Sequence, residues 1–193
     1  PVVMTDEDLP SGSDRVLQAA KNLQFPKQQK PSLLLNLQGD EPFMPLSCLR
    51  AILSCFQRHP QGDLFTAAKK CTLPQDENIY RDPNAVKVIT DNQEQALYFS
   101  RAPIPHGRDT PAQFNFLKHM GVYLWKRHAL EAFVAAGPSL LEEIERLEQL
   151  RAMSLGQKIF VTQGDWNNLD INTAADLEAA ERFHLLQENS EEC

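Results

Sequence analysis

Residues 33–42 read Leu-Leu-Leu-Asn-Leu-Gln-Gly-Asp-Glu-Pro, and no other stretch restricts the fold as tightly. Four leucines in five residues predict a buried strand. The chain must then turn at once through Gly39, because Pro42 stops the strand from continuing. The turn holds two carboxylates, Asp40 and Glu41. In an open α/β sheet, ligands bind outside the carboxyl ends of strands, so Asp40 is well placed to meet one. A hard carboxylate there suits Mg²⁺, which takes one or two protein carboxylates and fills its other positions with water and substrate phosphate. Taken alone, the triplet reads first as an ordinary acidic turn and second as a metal site, since short motifs recur by chance.

The rest of the chain alternates between helical and extended patterns. Val2-Val3-Met4 looks like the end of a strand. Residues 13–23 carry helical spacing behind Ser11 or Ser13 as N-cap, and residues 24–32, with Pro26 and Pro31, mark a loop. A helix is expected over about 46–58, with Leu49, Ile52, Leu53 and Phe56 as its apolar stripe. A strand at 64–68 and a loop at 71–83 follow. Residues 85–90 and 96–99 then form a predicted hairpin across Asp91-Asn92-Gln93. The prolines at 103, 105 and 111 indicate an irregular connection, after which 121–125 is a strand and 128–136 a helix stopped by Gly137-Pro138. Ser139 and Glu142 make a capping box at the head of a helix whose stripe is Leu141, Ile144, Leu147 and Leu150. A strand at 158–162 and a last helix from Thr173 and Asp176 to about Leu186 complete the series. Such alternation predicts an α/β fold, a mainly parallel sheet with helices on both faces, over residues 1–186, with an acidic tail at 187–193.

Composition narrows the class of function. A chain of 193 residues with 42% hydrophobic and 23% charged residues can bury a real core. The net charge of −7 and the dispersed lysines and arginines argue against nucleic-acid binding. No apolar stretch approaches a membrane span, and no secretory signal opens the chain, so a cytoplasmic location is expected. The four cysteines lack C-x-x-C spacing. Cys48 and Cys55 lie on one face of their helix but about two turns apart, too far for a disulfide, which predicts reduced, buried thiols.

Six ordered blocks carry a resemblance to a known family. They are Met4-Thr5 with Ser11-Gly12-Ser13-Asp14-Arg15, then Asn36-Leu37-Gln38-Gly39-Asp40-Glu41-Pro42, then Asp82-Pro83-Asn84-Ala85-Val86-Lys87-Val88. The later ones are residues 96–105 (Ala-Leu-Tyr-Phe-Ser-Arg-Ala-Pro-Ile-Pro), Lys118-His119-Met120-Gly121-Val122-Tyr123, and Leu147-Glu148-Gln149-Leu150-Arg151. Together they resemble the 3-deoxy-manno-octulosonate cytidylyltransferases, or CMP-Kdo synthetases, of the GT-A-like, Rossmann-like nucleotidyltransferase fold. The resemblance implies Mg²⁺-dependent transfer of CMP from CTP to the anomeric hydroxyl of Kdo, with release of pyrophosphate, for lipopolysaccharide or cell-wall polysaccharide synthesis. It implies that Asp40 holds Mg²⁺ at the triphosphate and that Gln38 with the Ser11-Gly12 turn contacts the cytosine end. Arg15 would face the nucleotide or pair with a carboxylate near its helix. The sugar acid would be held by Arg101, His119, Tyr123, Glu148 and Gln149, with Arg101 suited to a carboxylate. A homodimer, formed through the region after Ser100-Arg101-Ala102-Pro103, is implied in the same way.

The chain departs from the family pattern in two places. The family opens with a strand and an Arg-, Ser- and Gly-rich loop, followed by a Lys, that cradles the triphosphate, and no stretch here matches it. The sheet is therefore expected to show a gap or exposed edges. At the other end, Asn172 stands at the position of the family's second metal-binding Asp, and Asp170 is an alternative ligand two residues earlier. These departures leave two other readings open: an inactive homologue kept for binding, or a cytidylyltransferase for another acidic sugar such as a sialic acid.

Overall fold

The computed structural model describes residues 2–23, 25, 30–108, 113–166, 171, 173–174, 177–178 and 180–183. Among these, six helices and six strands run α1 (Gly12–Asn22), β1 (Leu33–Leu37), α2 (Leu46–Arg58), β2 (Leu64–Thr72), α3 (Glu77–Arg81), β3 (Lys87–Thr90), β4 (Ala96–Ser100), β5 (Asn115–Lys126), α4 (Arg127–Ala136), α5 (Leu140–Glu145), α6 (Gln149–Ser154) and β6 (Ile159–Gly164). The α/β class and helices on both faces hold. One face of the sheet packs on α1, α4 and α6 through Leu17, Leu130, Phe133 and Leu150, and the other on α2 through Cys48, Ile52 and Cys55.

The expected mainly parallel sheet needs correcting. The strand order is β4-β3-β5-β2-β6, with β1 beside the second half of β5, and among the described pairs only β2–β6 is parallel. The reason is β5. This 12-residue strand runs antiparallel between β1 and β2, so those two helix-linked strands point the same way but never touch. The alternation of elements in sequence carries no sign of such an insertion.

Several local expectations change with it. Residues 2–4 are not a strand, and Val2 and Met4 are exposed. The β1 run is buried on one face only: Leu34 and Asn36 are covered, while Leu35 and Leu37 are 46% and 47% exposed. The α2 stripe is built on its thiols; Cys48, Ile52 and Cys55 are buried and Leu53 is half exposed. Cys48, Cys55 and Cys71 are free and buried. The single helix expected from Ser139 to Leu150 is two short ones, with Arg146 between them in the left-handed region (φ 55°, ψ 47°). The Ser139–Glu142 capping box is present, but Leu141 and Ile144 face outward and only Leu147 and Leu150 reach the core. The hairpin, the α1 cap at Ser11 and the α4 stop at Gly137 (φ 70°) form as expected. Residues 187–193 lie outside the described residues.

Candidate active site

The site is assembled where β1 ends and β5 bends. β5 carries a bulge: Thr66 pairs with Tyr123 but Ala67 with Met120, so Gly121 and Val122 are an extra pair on the β5 side. Bulges re-aim side chains beside functional clefts. This one is held from both sides. The Thr66 hydroxyl lies 2.8 Å from the Val122 carbonyl and 3.3 Å from that of Met120, and the backbone N–H of Gly121 donates to the Glu41 carboxylate. A Cβ on Gly121 would stand 2.5 Å from Oε1 of both Gln38 and Glu41, so any other residue there must displace the ends of these two side chains from the bulge. Glu41 is thus a buried structural anchor, whereas Asp40 is exposed. The Asp40 side chain makes no hydrogen bond or ion pair among the described residues, and its carbonyl accepts from the N–H of Ile171. Asp170 and Asn172 themselves lie outside the described residues.

A cleft of about 330 Å³ opens between this turn, the loop that leads into β3, and the α5–α6 junction. Gln38 and Asp40 line it from the β1 end, and Arg101, His119 and Tyr123 from β4 and β5. Glu148 and Gln149 close it at the head of α6. The cleft size is that of a small-molecule site.

His119 is buried, with its ring against Phe99 and Tyr123 and its Nε2 3.0 Å from Thr66 Oγ1. The Thr66 proton is committed to a β5 carbonyl, so His119 must donate from Nε2, which leaves Nδ1 as an acceptor. Burial, helped by the Lys118 cation, pushes its pKa down to about 3, so the ring is neutral at physiological pH. Tyr123 donates to Gln149 Oε1 at 3.2 Å, and burial first, then the carboxylates of Glu148, Glu41 and Asp40, hold its phenol well above the usual range. Glu148 accepts from the Ser13 hydroxyl and N–H, and burial raises its pKa despite those bonds. Gln149 is 1% exposed, and its Nε2 finds no acceptor among the described residues. A buried, orphaned amide donor facing a cleft fits a ligand rich in acceptor oxygens.

Two expected roles change. The Arg101 guanidinium does not stand free for a carboxylate: it donates to the carbonyls of Glu145 (2.8 Å), Pro83 (2.9 Å) and Arg146 (3.3 Å), strapping β4 to the end of α5. Arg101 still borders the cleft. Arg15 does not line this cleft; it donates to the carbonyls of Asp6 and Glu7 and to the Thr5 hydroxyl, and so braces the approach to α1. Ser11 caps α1 through Asp14 and lines a neighbouring cleft that shares Glu148 with the first, while Gly12 lies against the Asn36 amide, another buried donor without an acceptor.

Arg146, Lys118 and Asn84 also line the cleft, and sequence reading named none of them as site residues. Arg146 has no side-chain partner among the described residues. Its signal was the capping box at Ser139, read as the start of a longer helix that would have hidden this turn. Two conspicuous cations prove to be structural. Lys87 is fully buried and donates to the carbonyls of Asp82, Ala85 and Arg101. Arg151 makes a bidentate pair with Glu142 and lies over the Phe133 ring at 4.1 Å.

Known proteins resemble the chain in both sequence and fold. Residues 1–159 match the Cytidylyltransferase family. The chain is 38% identical over 185 residues to a 3-deoxy-manno-octulosonate cytidylyltransferase of Acidobacterium capsulatum, covering 96% of this chain and 71% of that protein. It is 40% identical to one from Wolinella succinogenes over 92% of this chain and 72% of the relative. An 8-amino-3,8-dideoxy-manno-octulosonate cytidylyltransferase of Shewanella oneidensis is 38% identical, covering 94% and 71%. Among solved structures, a CMP:2-keto-3-deoxy-manno-octonic acid synthetase complexed with CTP superposes with a TM-score of 0.82 at 28% identity, over 96% of this chain and 72% of that one. A 4-diphosphocytidyl-2C-methyl-D-erythritol synthase from Anaerococcus prevotii, 14% identical with a TM-score of 0.52 over 92% and 68%, shares the fold alone. With the cleft, the ordered motifs and these relatives in accord, the chain belongs to the 3-deoxy-manno-octulosonate cytidylyltransferase (CMP-Kdo synthetase) family of cytidylyltransferases.

Proposed function

We propose that the protein transfers CMP from CTP to the anomeric hydroxyl of Kdo. The observation that carries this reading is the convergence of Gln38 and Asp40 with His119, Glu148 and Gln149 on one cleft. In the reaction the hydroxyl oxygen bonds to the α-phosphorus, the bond from that phosphorus to the bridging oxygen breaks, and pyrophosphate leaves with the electron pair. Such a transfer depends mainly on positioning and on stabilising charge. Gln38 and Asp40 would meet the nucleotide. The neutral His119 offers Nδ1 to a sugar hydroxyl, and Gln149 Nε2 donates to a sugar oxygen. Arg146 and Arg101 supply positive charge for the sugar carboxylate.

A Mg²⁺ ion fits the donor set at Asp40, an exposed carboxylate without a side-chain partner among the described residues, beside the Ile171 backbone. When bound there it would neutralise phosphate charge. Asn172 and Asp170 are the proposed further ligands. A cytoplasmic homodimer, joined through the region after Pro103, belongs to the same proposal, and light scattering of the purified protein tests the association. No helix among the described residues is long and apolar enough to cross a membrane.

The 8-amino sugar is a second reading, since it is the sugar in the name of the Shewanella relatives, which are 38% identical. Pyrophosphate release from CTP and Mg²⁺, measured with Kdo and with its 8-amino analogue, tests both. We expect release with Kdo and a loss of about 10²-fold or more in Asp40→Asn. Release with neither sugar acid would overturn the proposal, and release only with the amino sugar would replace it with the second reading.

A further inference from the structure

Away from the cleft, Cys55, His59 and Glu94 place three ligand atoms, all within 4.8 Å of one another, where α2 ends against the β3–β4 turn. Cys55 and His59 are one helical turn apart, a spacing that puts both side chains on one face. His59 is well fixed. Its N–H donates to the Cys55 carbonyl, its own carbonyl accepts from Gly62, and its ring stacks on Phe160 with centroids 4.2 Å apart. Glu94 comes from the other side at a left-handed backbone position (φ 66°), which a non-glycine residue adopts only against a steric cost. Its carbonyl accepts from the Val161 N–H, so the turn is tied to β6 as well.

The separation of the imidazole and the carboxylate suits a small divalent ion. His59 Nε2 and Glu94 Oε2 are 3.1 Å apart, close to the separation of about 3.3 Å between two tetrahedral ligands that each sit about 2.0 Å from Zn²⁺. A thiolate, an imidazole and a carboxylate form a zinc-type set, unlike the oxygen-only surroundings of Asp40. Arg58 bonds the Glu94 carboxylate at 2.7 Å, in the position of an outer partner that orients a ligating carboxylate. The simpler reading is a core thiol beside an Arg–His–Glu ion pair, and burial indeed pushes the Cys55 thiol up to about 11. A metal would displace that proton, as metals do at coordinating thiols.

We propose that Cys55, His59 and Glu94 bind one zinc-class divalent ion, with a fourth position left to water, clamping the end of α2 to the β3–β4 hairpin. The proposal is independent of the cytidylyltransferase reading. Its test is titration of metal-stripped, reduced protein with Co²⁺, read by the thiolate-to-cobalt charge-transfer band, which Co²⁺ at the Asp40 oxygens does not produce. We expect one equivalent to bind, Zn²⁺ to displace it, Cys55→Ser to abolish the band and Cys48→Ser to keep it. His59→Gln, which keeps much of the side chain against Phe160 while removing the imidazole, should weaken binding by more than the roughly 10–100-fold that loss of an outer-sphere partner costs. No band at stoichiometric Co²⁺, a band that survives Cys55→Ser, or full affinity in His59→Gln would each reduce the cluster to an ion pair beside a thiol.

Discussion

At the residue scale, the same kinds of side chain divide sharply between scaffold and cleft. Asp40 and Glu41 are neighbours in one turn, yet Glu41 holds the Gly121 N–H while Asp40 stands exposed in the cleft. Nothing in Gly-Asp-Glu distinguishes them, because the difference is made by β5, which is some 80 residues away in sequence. Arg101, expected to meet a sugar carboxylate, gives three of its N–H groups to backbone carbonyls instead, and Arg151 is held by Glu142. Gly121 is the position where the argument can be checked most directly. In Gly121→Ala the new methyl must push aside Gln38 and Glu41, whose carboxylate is buried, and we expect a loss of about 1–3 kcal/mol in urea unfolding together with a raised KM for CTP. Unchanged stability and KM would show that the close approach of the β1 turn is unimportant.

At the element scale, the break between α5 and α6 matters most. A regular helix from Ser139 would have carried Arg146 round its outer face; the left-handed turn instead brings Arg146, Leu147 and Glu148 to the rim of the cleft. The apolar spacing of Leu141, Ile144, Leu147 and Leu150 suggested continuity, and the structure overrides it. Arg151 must reach back to Glu142 in the capping box, and Glu148 must meet Ser13 of α1. A non-glycine residue in this conformation costs about 1–2 kcal/mol. Arg146→Gly should therefore raise stability by about 1 kcal/mol in thermal or chemical unfolding while raising KM for the sugar acid. A variant both no more stable and fully active would show that the turn neither stores strain nor serves the site.

At the scale of the whole molecule, the buried polar centre couples the site to acid stability. His119 is neutral in the folded protein and takes up a proton on unfolding, so its contribution is complete above pH about 6.5 and is lost as pH falls toward 3. Glu148, raised by burial, acts in the opposite sense: its contribution is present at low pH and lost as pH rises through its folded value. Comparing urea unfolding of the protein with His119→Gln isolates the first effect. The stability difference between the two should shrink by about 2 kcal/mol from pH 7 to pH 5, and a difference independent of pH would mean that His119 is not the group responsible. Local propensity already carries the α/β class, an α1 cap at Ser11 or Ser13, the capping box at Ser139 and the hairpin across Asp91-Asn92-Gln93, while the motifs shared with the family mark much of the cleft lining between Gln38 and Gln149 but not Asn84, Lys118 or Arg146. Packing is what inserts β5 antiparallel between β1 and β2, buries one of two adjacent carboxylates, and brings Arg146 but neither Arg15 nor Lys87 to the cleft. Those outcomes depend on partners distant in the chain, and pairing across such distances is a property of packing that no local pattern encodes.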